Sequence, residues 1–262
     1  MREFATTLAR LVGLELRRSW ILTLRYRTEA ALSIAFLVAL FYGLLFGAQA
    51  TALKPFAIGN GTEGLLLGFI CWVLCTSGVS QVAHDIEEEA KTGTLEPLFL
   101  AHPGPGALFA ARNLAALISG VPMLLMVATA LALATHSAFL VSPEAVVPVL
   151  ALDLAASGIG FALGALAILV KRVRLAVIAG QLLVAFVMVA NVDLPGGRSL
   201  VALLPLVPAV DSLRGLMLSG APVGVGGCVL LALNGAGWFG AGFAAFLLAI
   251  RRARRLGLLA QQ

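Results

Sequence analysis

The chain has 262 residues, of which 60% are hydrophobic and 12% are charged, and its formal net charge is +5. Soluble domains average about 45–50% apolar and about 25% charged residues, so this composition excludes an ordinary soluble domain and requires lipid to cover the apolar excess. The basic residues lie at the ends of apolar segments and near the N-terminus, not in one groove, which excludes nucleic acid as the expected partner. The sequence therefore predicts an all-α polytopic membrane protein with one transmembrane domain, residues 1–262.

The N-terminal segment, residues 1–28, is predicted to be an amphipathic helix at the membrane surface. Apolar residues fall on one side of such a helix, and Arg10 and Arg17 fall on the other side, toward headgroups or a partner. Glu15 lies inside the apolar arc. Two explanations stay open for it: an ion pair with Arg18, three residues on, or a polar contact with another part of the protein.

Six apolar segments are long enough to cross a bilayer, which takes about 20 helical residues. They cover residues 30–48, 64–83, 107–134, 145–170, 175–192 and 223–250. With both termini on one side, the other side carries only Lys54, Arg198 and Arg214 as basic residues. The positive-inside rule then places both termini in the cytoplasm, and we expect a multi-pass protein of a bacterial or archaeal inner membrane.

The stretch 194–220 is apolar, but Pro205, Pro208, Asp211 and Arg214 interrupt it. Proline breaks a continuous helix, and unpaired charges are costly in lipid. The stretch is therefore predicted to be an external re-entrant or interfacial helical segment between spans five and six, sheltered by protein.

Few residues suggest chemistry. The sequence has no phosphate-binding loop of the P-loop type and no recognised metal or catalytic motif, so we expect a non-enzymatic chain that binds no cofactor, metal or ATP itself. Asp153, in the fourth span, is the best candidate for an intramembrane polar site. It is either a carboxyl hydrogen-bonded between helices or part of an ion pathway.

In the same span, Ala156, Gly160 and Gly164 form a small-residue face, for helix packing or for a dimer.

The cytoplasmic loop 84–106, between the second and third spans, is the most informative segment. The second helix is predicted to continue into the cytoplasm and to end at Gly93. Its last turns are crowded with the carboxylates of Asp85, Glu87, Glu88 and Glu89. Negative charge at a helix C-terminus opposes the helix dipole. We therefore expect either a solvated acidic face or neutralisation by basic groups of the N-terminal helix or of a partner protein.

A second, short helix is predicted within this loop, with Thr94 as its N-cap and Glu96 in its first turn. Leu95, Leu98 and Phe99 would give this helix an apolar surface in the cytoplasm. No lipid covers a surface there, so we expect a partner protein to bury it.

At these residues the sequence resembles the permeases of type-2 ABC transporters. The pattern Glu-x-x-x-Gly-Thr-Leu-Glu-x-Leu runs from Glu89 to Leu98 and is followed by His102-Pro103. The basic N-terminal helix, with Arg25-Tyr26-Arg27 before the first span, is similar to the connecting helix of that family. Residues 204–220 are similar to its external segment, and the plan of six spans with both ends inside also fits.

This resemblance implies that the loop forms a coupling helix that docks into a separate ATPase subunit, which would use ATP and Mg. It implies an ATPase-coupling role for Glu87, Glu88, Glu89, Gly93, Thr94, Leu95, Glu96, Leu98 and Phe99. It implies a connecting-helix role for Arg10, Glu15, Arg17 and Arg18, and a second permease copy or a homologous permease in the same transporter. A haem-export permease of this family and an ion-coupled secondary transporter are the alternatives; few buried charges argue against the second.

Overall fold

The structure is a computed structural model that describes residues 2–50, 62–94, 97–98, 104–135, 143–170, 174–189 and 203–256. The described residues are almost wholly helical and contain no strand, which confirms the predicted all-α class. Within these ranges the long helices are α1 (Arg2–Arg25), α2 (Arg27–Ala50), α3 (Thr62–Lys91), α4 (Pro105–Thr135), α5 (Val146–Val170), α6 (Arg174–Val189), α7 (Val207–Ser219) and α8 (Val225–Leu256). A single 3₁₀ turn, Pro143–Ala145, leads into α5.

Five of the described helices are long and apolar enough to cross a membrane, namely α2, α3, α4, α5 and α8. They correspond to the first four predicted spans and the sixth, so the chain is a multi-pass membrane protein by length and composition. The predicted fifth span falls on α6, which is described over 16 residues and is shorter than the about 20 that a bilayer requires. The part of that prediction beyond Val189 lies outside the described residues. The count of six spans therefore stays a prediction.

Helix α5 is the centre of the bundle, and its most extensive contacts are with α8 on one side and α3 on the other. Small residues allow this close approach. A Cβ atom added to Gly235 of α8 would lie 2.8 Å from the carbonyl oxygen of Ala151. A Cβ atom on Gly160 would collide with the carbonyl oxygen of Gly78 in α3, and one on Gly164 would also be too close to α3. The small-residue face of the fourth span therefore packs within the chain, as the helix-packing alternative predicts.

A cluster of aromatic rings fills the junction between α5, α8 and α4. The ring of Phe161, which is fully buried, meets those of Phe239, Phe243 and Phe246 at centroid distances of 5.5, 5.2 and 5.3 Å. Phe246 continues the cluster to Phe109 of α4 at 5.6 Å. Edge-on aromatic contacts of this kind add to the free energy of burial and fix the relative positions of the helices.

Helix α7 is the described part of the segment predicted between the last two spans. Pro208 lies in its first turn, where proline is compatible with a helix, and Gly220 ends it with φ of +64°. Its buried side chains, which include Val210 and Leu213, pack against α3 and α5. The helical part of the prediction is thus observed over Val207–Ser219, whereas residues 194–202 lie outside the described residues.

The chain entering α7 is held by two side chains of α8. Asn234 donates a hydrogen bond to the carbonyl of Leu204 at 3.2 Å, and Trp238 donates one to the carbonyl of Leu203 at 3.1 Å. The next turn places the buried Leu206 at φ of +70°. Positive φ is unfavourable for a branched side chain, so burial and these bonds must hold the turn in place.

Candidate functional site: a charged junction and a polar cavity

Helix α3 ends close to the position predicted from the sequence. The helix ends at Lys91, and Gly93 has φ of +70°, the left-handed conformation that glycine adopts without strain. The N–H of Thr94 donates to the carbonyl of Glu89 at 3.1 Å, which satisfies a carbonyl that the helix would otherwise leave free.

Arg112 of α4 neutralises the acidic end of α3. Its Nη1 atom lies 2.7 Å from Oε1 of Glu89, and its Nε atom lies 3.3 Å from Oε1 of Glu15. The three side chains are only 15–18% exposed, so solvent screens the two ion pairs weakly. This group, the Glu15–Arg112–Glu89 junction, connects α1, α3 and α4. Sequence reasoning counted Arg112 only among the basic residues of the predicted cytoplasmic side.

Both explanations left open for Glu15 are observed. Its second carboxylate oxygen lies 3.6 Å from Nη1 of Arg18, and its first pairs with Arg112, which is 97 positions away in the sequence. Neutralisation by the N-terminal helix was one of the alternatives for the acidic turns, and Arg18 of that helix joins the same group of charges through Glu15. The cation that contacts Glu89 comes from α4.

The remaining carboxylates of α3 differ in environment. Glu87 forms an ion pair with Lys91 at 2.9 Å, but both side chains are more than half exposed, and Glu88 is exposed as well. Asp85 accepts a hydrogen bond from Gln81 at 3.0 Å. Of the acidic residues predicted to couple to a partner, Glu87 and Glu88 are therefore accessible at the surface, and Glu89 is engaged within the chain.

The short helix predicted after Gly93 is described at Thr94, Pro97 and Leu98. The N–H of Leu98 donates to the carbonyl of Thr94 at 3.2 Å, which is consistent with a helical turn. The Thr94 hydroxyl donates to the Glu89 carboxylate. Leu98 is half-buried against the core cluster that includes Phe109, so the chain itself covers part of the apolar surface assigned to a partner. Leu95, Glu96 and Phe99 lie outside the described residues.

Helix α1 packs mainly along α4. Leu11 and Leu16 are half-buried, whereas Arg10 and Arg17 are exposed, as predicted for an amphipathic helix. The Ser19 hydroxyl donates to the hydroxyl of its neighbour on α4, Ser119, at 3.0 Å. The N-terminal helix is thus attached to the bundle at its apolar side, with its outer arginines free to meet another surface.

Asp153 lies at the interface between α4 and α5 and is 5% exposed. Asn113 donates a hydrogen bond to the Ser157 hydroxyl at 2.9 Å, and Ser157 donates to Oδ2 of Asp153 at 3.4 Å. The hydrogen bond to the Asp153 carboxyl thus comes from its own helix, and Ser157 links it to Asn113 of α4, so the choice between the two alternatives for Asp153 stays a prediction. Sequence reasoning missed Ser157, although a hydroxyl one helical turn after Asp153 could have been recognised as a partner. It also missed Asn113, and nothing in the sequence connects Asn113 with Asp153.

These polar groups line a cavity of about 280 Å³ between α2, α3, α4 and α5. Its polar lining consists of Ser77, Gln81, Asn113, Asp153 and Ser157, and the rest of the lining is almost entirely aliphatic. Gln81 also bonds to Asp85 near the end of α3, so polar side chains extend from the cavity toward the charged junction.

Among the residues that the structure describes, no cluster of three histidine, cysteine or acidic side chains could hold a metal ion. Comparisons of the chain with protein-family models, curated proteins and solved structures found no match. The arrangement of the residues themselves therefore carries the functional argument.

Proposed function

We propose that the chain is the membrane-spanning permease subunit of an ATP-driven exporter and works with a separate ATPase subunit. The membrane helices would form the translocation path, together with a second permease. The ATPase would bind ATP and Mg, and it would dock at the loop 84–106. The multi-pass helical architecture and the sequence resemblance of Glu89–Leu98 to type-2 ABC permeases support this proposal.

The Glu15–Arg112–Glu89 junction is the observation that carries the proposal. A transport subunit driven from outside must pass a displacement of its cytoplasmic loop to its spans. The junction connects the end of α3, which forms the first part of the segment 84–106, to α4, which follows this segment, and to the N-terminal helix. Partly buried, hydrogen-bonded ion pairs resist separation because breaking them leaves charges unpaired and only weakly solvated. A force on the loop would therefore move three helices together.

An ion-coupled carrier is the second candidate, because the buried Asp153 and the polar groups leading from it resemble part of an ion route. A carrier of this type needs a continuous path across the membrane. The described residues supply one buried carboxyl within the spans, which favours the ATP-driven proposal.

ATP hydrolysis by the purified proteins tests this assignment. The isolated chain in nanodiscs should not hydrolyse ATP, and a phosphate-loop ATPase from the same host should bind to it and change its turnover rate on binding. A contaminant-free chain that hydrolysed ATP would contradict the division of labour. Proton uptake into vesicles containing the chain alone, driven by a membrane potential, would favour the carrier instead.

A further inference from the structure

The cavity between α2 and α5 combines a large aliphatic surface with one buried acidic group. Its volume of about 280 Å³ is close to the lower end of ligand pockets, roughly 300–1,000 Å³. Leu74, Leu124 and Val127 belong to its apolar lining, and Asp153 is its one ionisable residue. Sites for small organic molecules are built in this way, from an apolar surface and a few convergent polar groups.

The directions of the hydrogen bonds show that the Asp153 carboxyl can accept a further donor. The Asn113 amide donates to Ser157, and Ser157 in turn donates to Asp153, so the Asp153 carboxyl is the acceptor at the end of the series. The bond to Asp153 is long, at 3.4 Å. A carboxylate has about four acceptor positions, so this one retains capacity for a stronger donor.

No lysine or arginine among the described residues lies within ion-pair distance of Asp153. Arg112, which precedes Asn113 on α4, is already paired with Glu15 and Glu89. A buried carboxylate without a cation is costly, so a ligand that brings both a positive charge and a donor would be stabilised there.

The aliphatic lining decides between a metal ion and an organic cation. A bare metal ion requires several oxygen ligands and gains nothing from hydrocarbon surface. An organic cation would bury its hydrocarbon against Leu74, Leu124 and Val127 while its charged group meets Asp153.

We propose that this cavity binds a hydrophobic molecule carrying a single protonated amine, with the ammonium group donating to the Asp153 carboxylate. The site is formed by this chain alone, and its existence does not depend on the ATPase partnership. A chain that binds such an amine but recruits no ATPase would refute the proposed function and leave this site intact.

Binding of two molecules of nearly identical shape to the full chain in nanodiscs tests the charge requirement. 1-Adamantanamine is protonated at neutral pH, and 1-adamantanol is its neutral counterpart. Equilibrium dialysis, corrected with empty nanodiscs, should show that the wild-type chain binds the amine more tightly than the alcohol by roughly tenfold or more. The variant Asp153→Asn should lose this preference. Equal binding of amine and alcohol by the wild type, or an unchanged preference in a folded Asp153→Asn variant, would overturn the proposal.

A pair of glycine variants tests the location without touching Asp153. Gly120 lines the cavity, and a Cβ atom there meets no atom within 4 Å, so the side chain of Gly120→Phe can start without a clash and should occupy cavity space. Gly43 is equally unobstructed but does not line the cavity. Gly120→Phe should abolish saturable amine binding, and Gly43→Phe should retain it. Retention of binding by Gly120→Phe would place the amine elsewhere and refute this site, even if Asp153→Asn failed to fold.

Discussion

Arg112 Nη1 lies 2.7 Å from the Glu89 carboxylate, and this contact joins α3 to α4, the helices on either side of the predicted cytoplasmic loop. Glu15 binds the same guanidinium from the N-terminal helix at 3.3 Å. The Arg112 side chain thus connects the N-terminal helix with the helices on both sides of the loop. Displacement of any one of these three helices would therefore act on the other two.

The first prediction concerns the stability of this junction. Arg112→Met should destabilise the folded chain by roughly 1.5–3 kcal/mol, because it leaves the partly buried carboxylates of Glu15 and Glu89 without their cation. Arg112→Lys should recover only part of the loss, since a lysine cannot present two fixed N–H groups to two carboxylates. Thermal unfolding in detergent, followed by tryptophan fluorescence, measures both.

Lys91→Met provides the matched control. Its ion pair with Glu87 has a similar distance, 2.9 Å, but both side chains are more than half exposed. Exposed pairs contribute little, so this variant should unfold close to wild type. Equal unfolding temperatures for the Arg112 and Lys91 variants would show that the junction contributes no more than a surface pair.

The second prediction separates two glycines of α8. Gly242→Ala should strongly destabilise the bundle, because the added Cβ would collide with the Gly158 carbonyl and push α8 away from α5. Gly237→Ala should be neutral or slightly stabilising, since its Cβ meets no atom within 4 Å and alanine favours a helix. Yield of folded protein by size-exclusion chromatography compares them. Similar yields for the two variants would contradict the close packing of α5 and α8.

The third prediction concerns Leu98, which packs against the chain's own core. Leu98→Ser should lower the unfolding temperature of the isolated chain. Thr92→Ala, at an exposed position in the same loop region, should have a much smaller effect. Unfolding of the two variants in the absence of any ATPase decides the point. If Leu98→Ser unfolded like wild type, Leu98 would be available to a partner, as the sequence pattern alone suggests.

The fourth prediction concerns topology, which rests on the distribution of arginine and lysine. Both termini should be cytoplasmic. In a Cys228→Ala background, the remaining native cysteines, Cys71 and Cys75, are buried. An impermeant thiol reagent applied to intact cells should label Ser199→Cys and leave Ala260→Cys unlabelled. The reverse labelling pattern would invert the assignment.

Local sequence patterns predicted the helices of this fold, but they could not predict contacts between residues that are far apart in the sequence. Gly93 was recognisable as a helix end because glycine alone adopts the required conformation without strain. Glu15 was recognisable as misplaced in an apolar arc, but a single sequence does not indicate that its partner is Arg112. Near the predicted cytoplasmic end of the third span, an arginine satisfies the positive-inside rule whether or not it is paired.

The candidate site shows the same limit. Asp153 stood out because an acidic residue in a span is costly, whereas Asn113 lay close to the predicted start of the third span and drew no attention. Their connection through Ser157 depends on how α4 and α5 are placed relative to each other in the folded bundle. The cavity is likewise the space left between four helices, and no segment of sequence encodes it by itself.

The most direct test of the proposed role is co-purification of the ATPase with the double variant Leu95→Ser, Phe99→Ser. These residues belong to the predicted apolar surface of the loop, where each filled apolar side chain would contribute roughly 1.5–3 kcal/mol to docking. The double variant should insert and fold like wild type, but it should lose both the bound ATPase and ATP-driven transport in reconstituted vesicles. If the double variant retained the ATPase and transport at wild-type levels, the loop 84–106 would not be the coupling site, and the central claim would be contradicted.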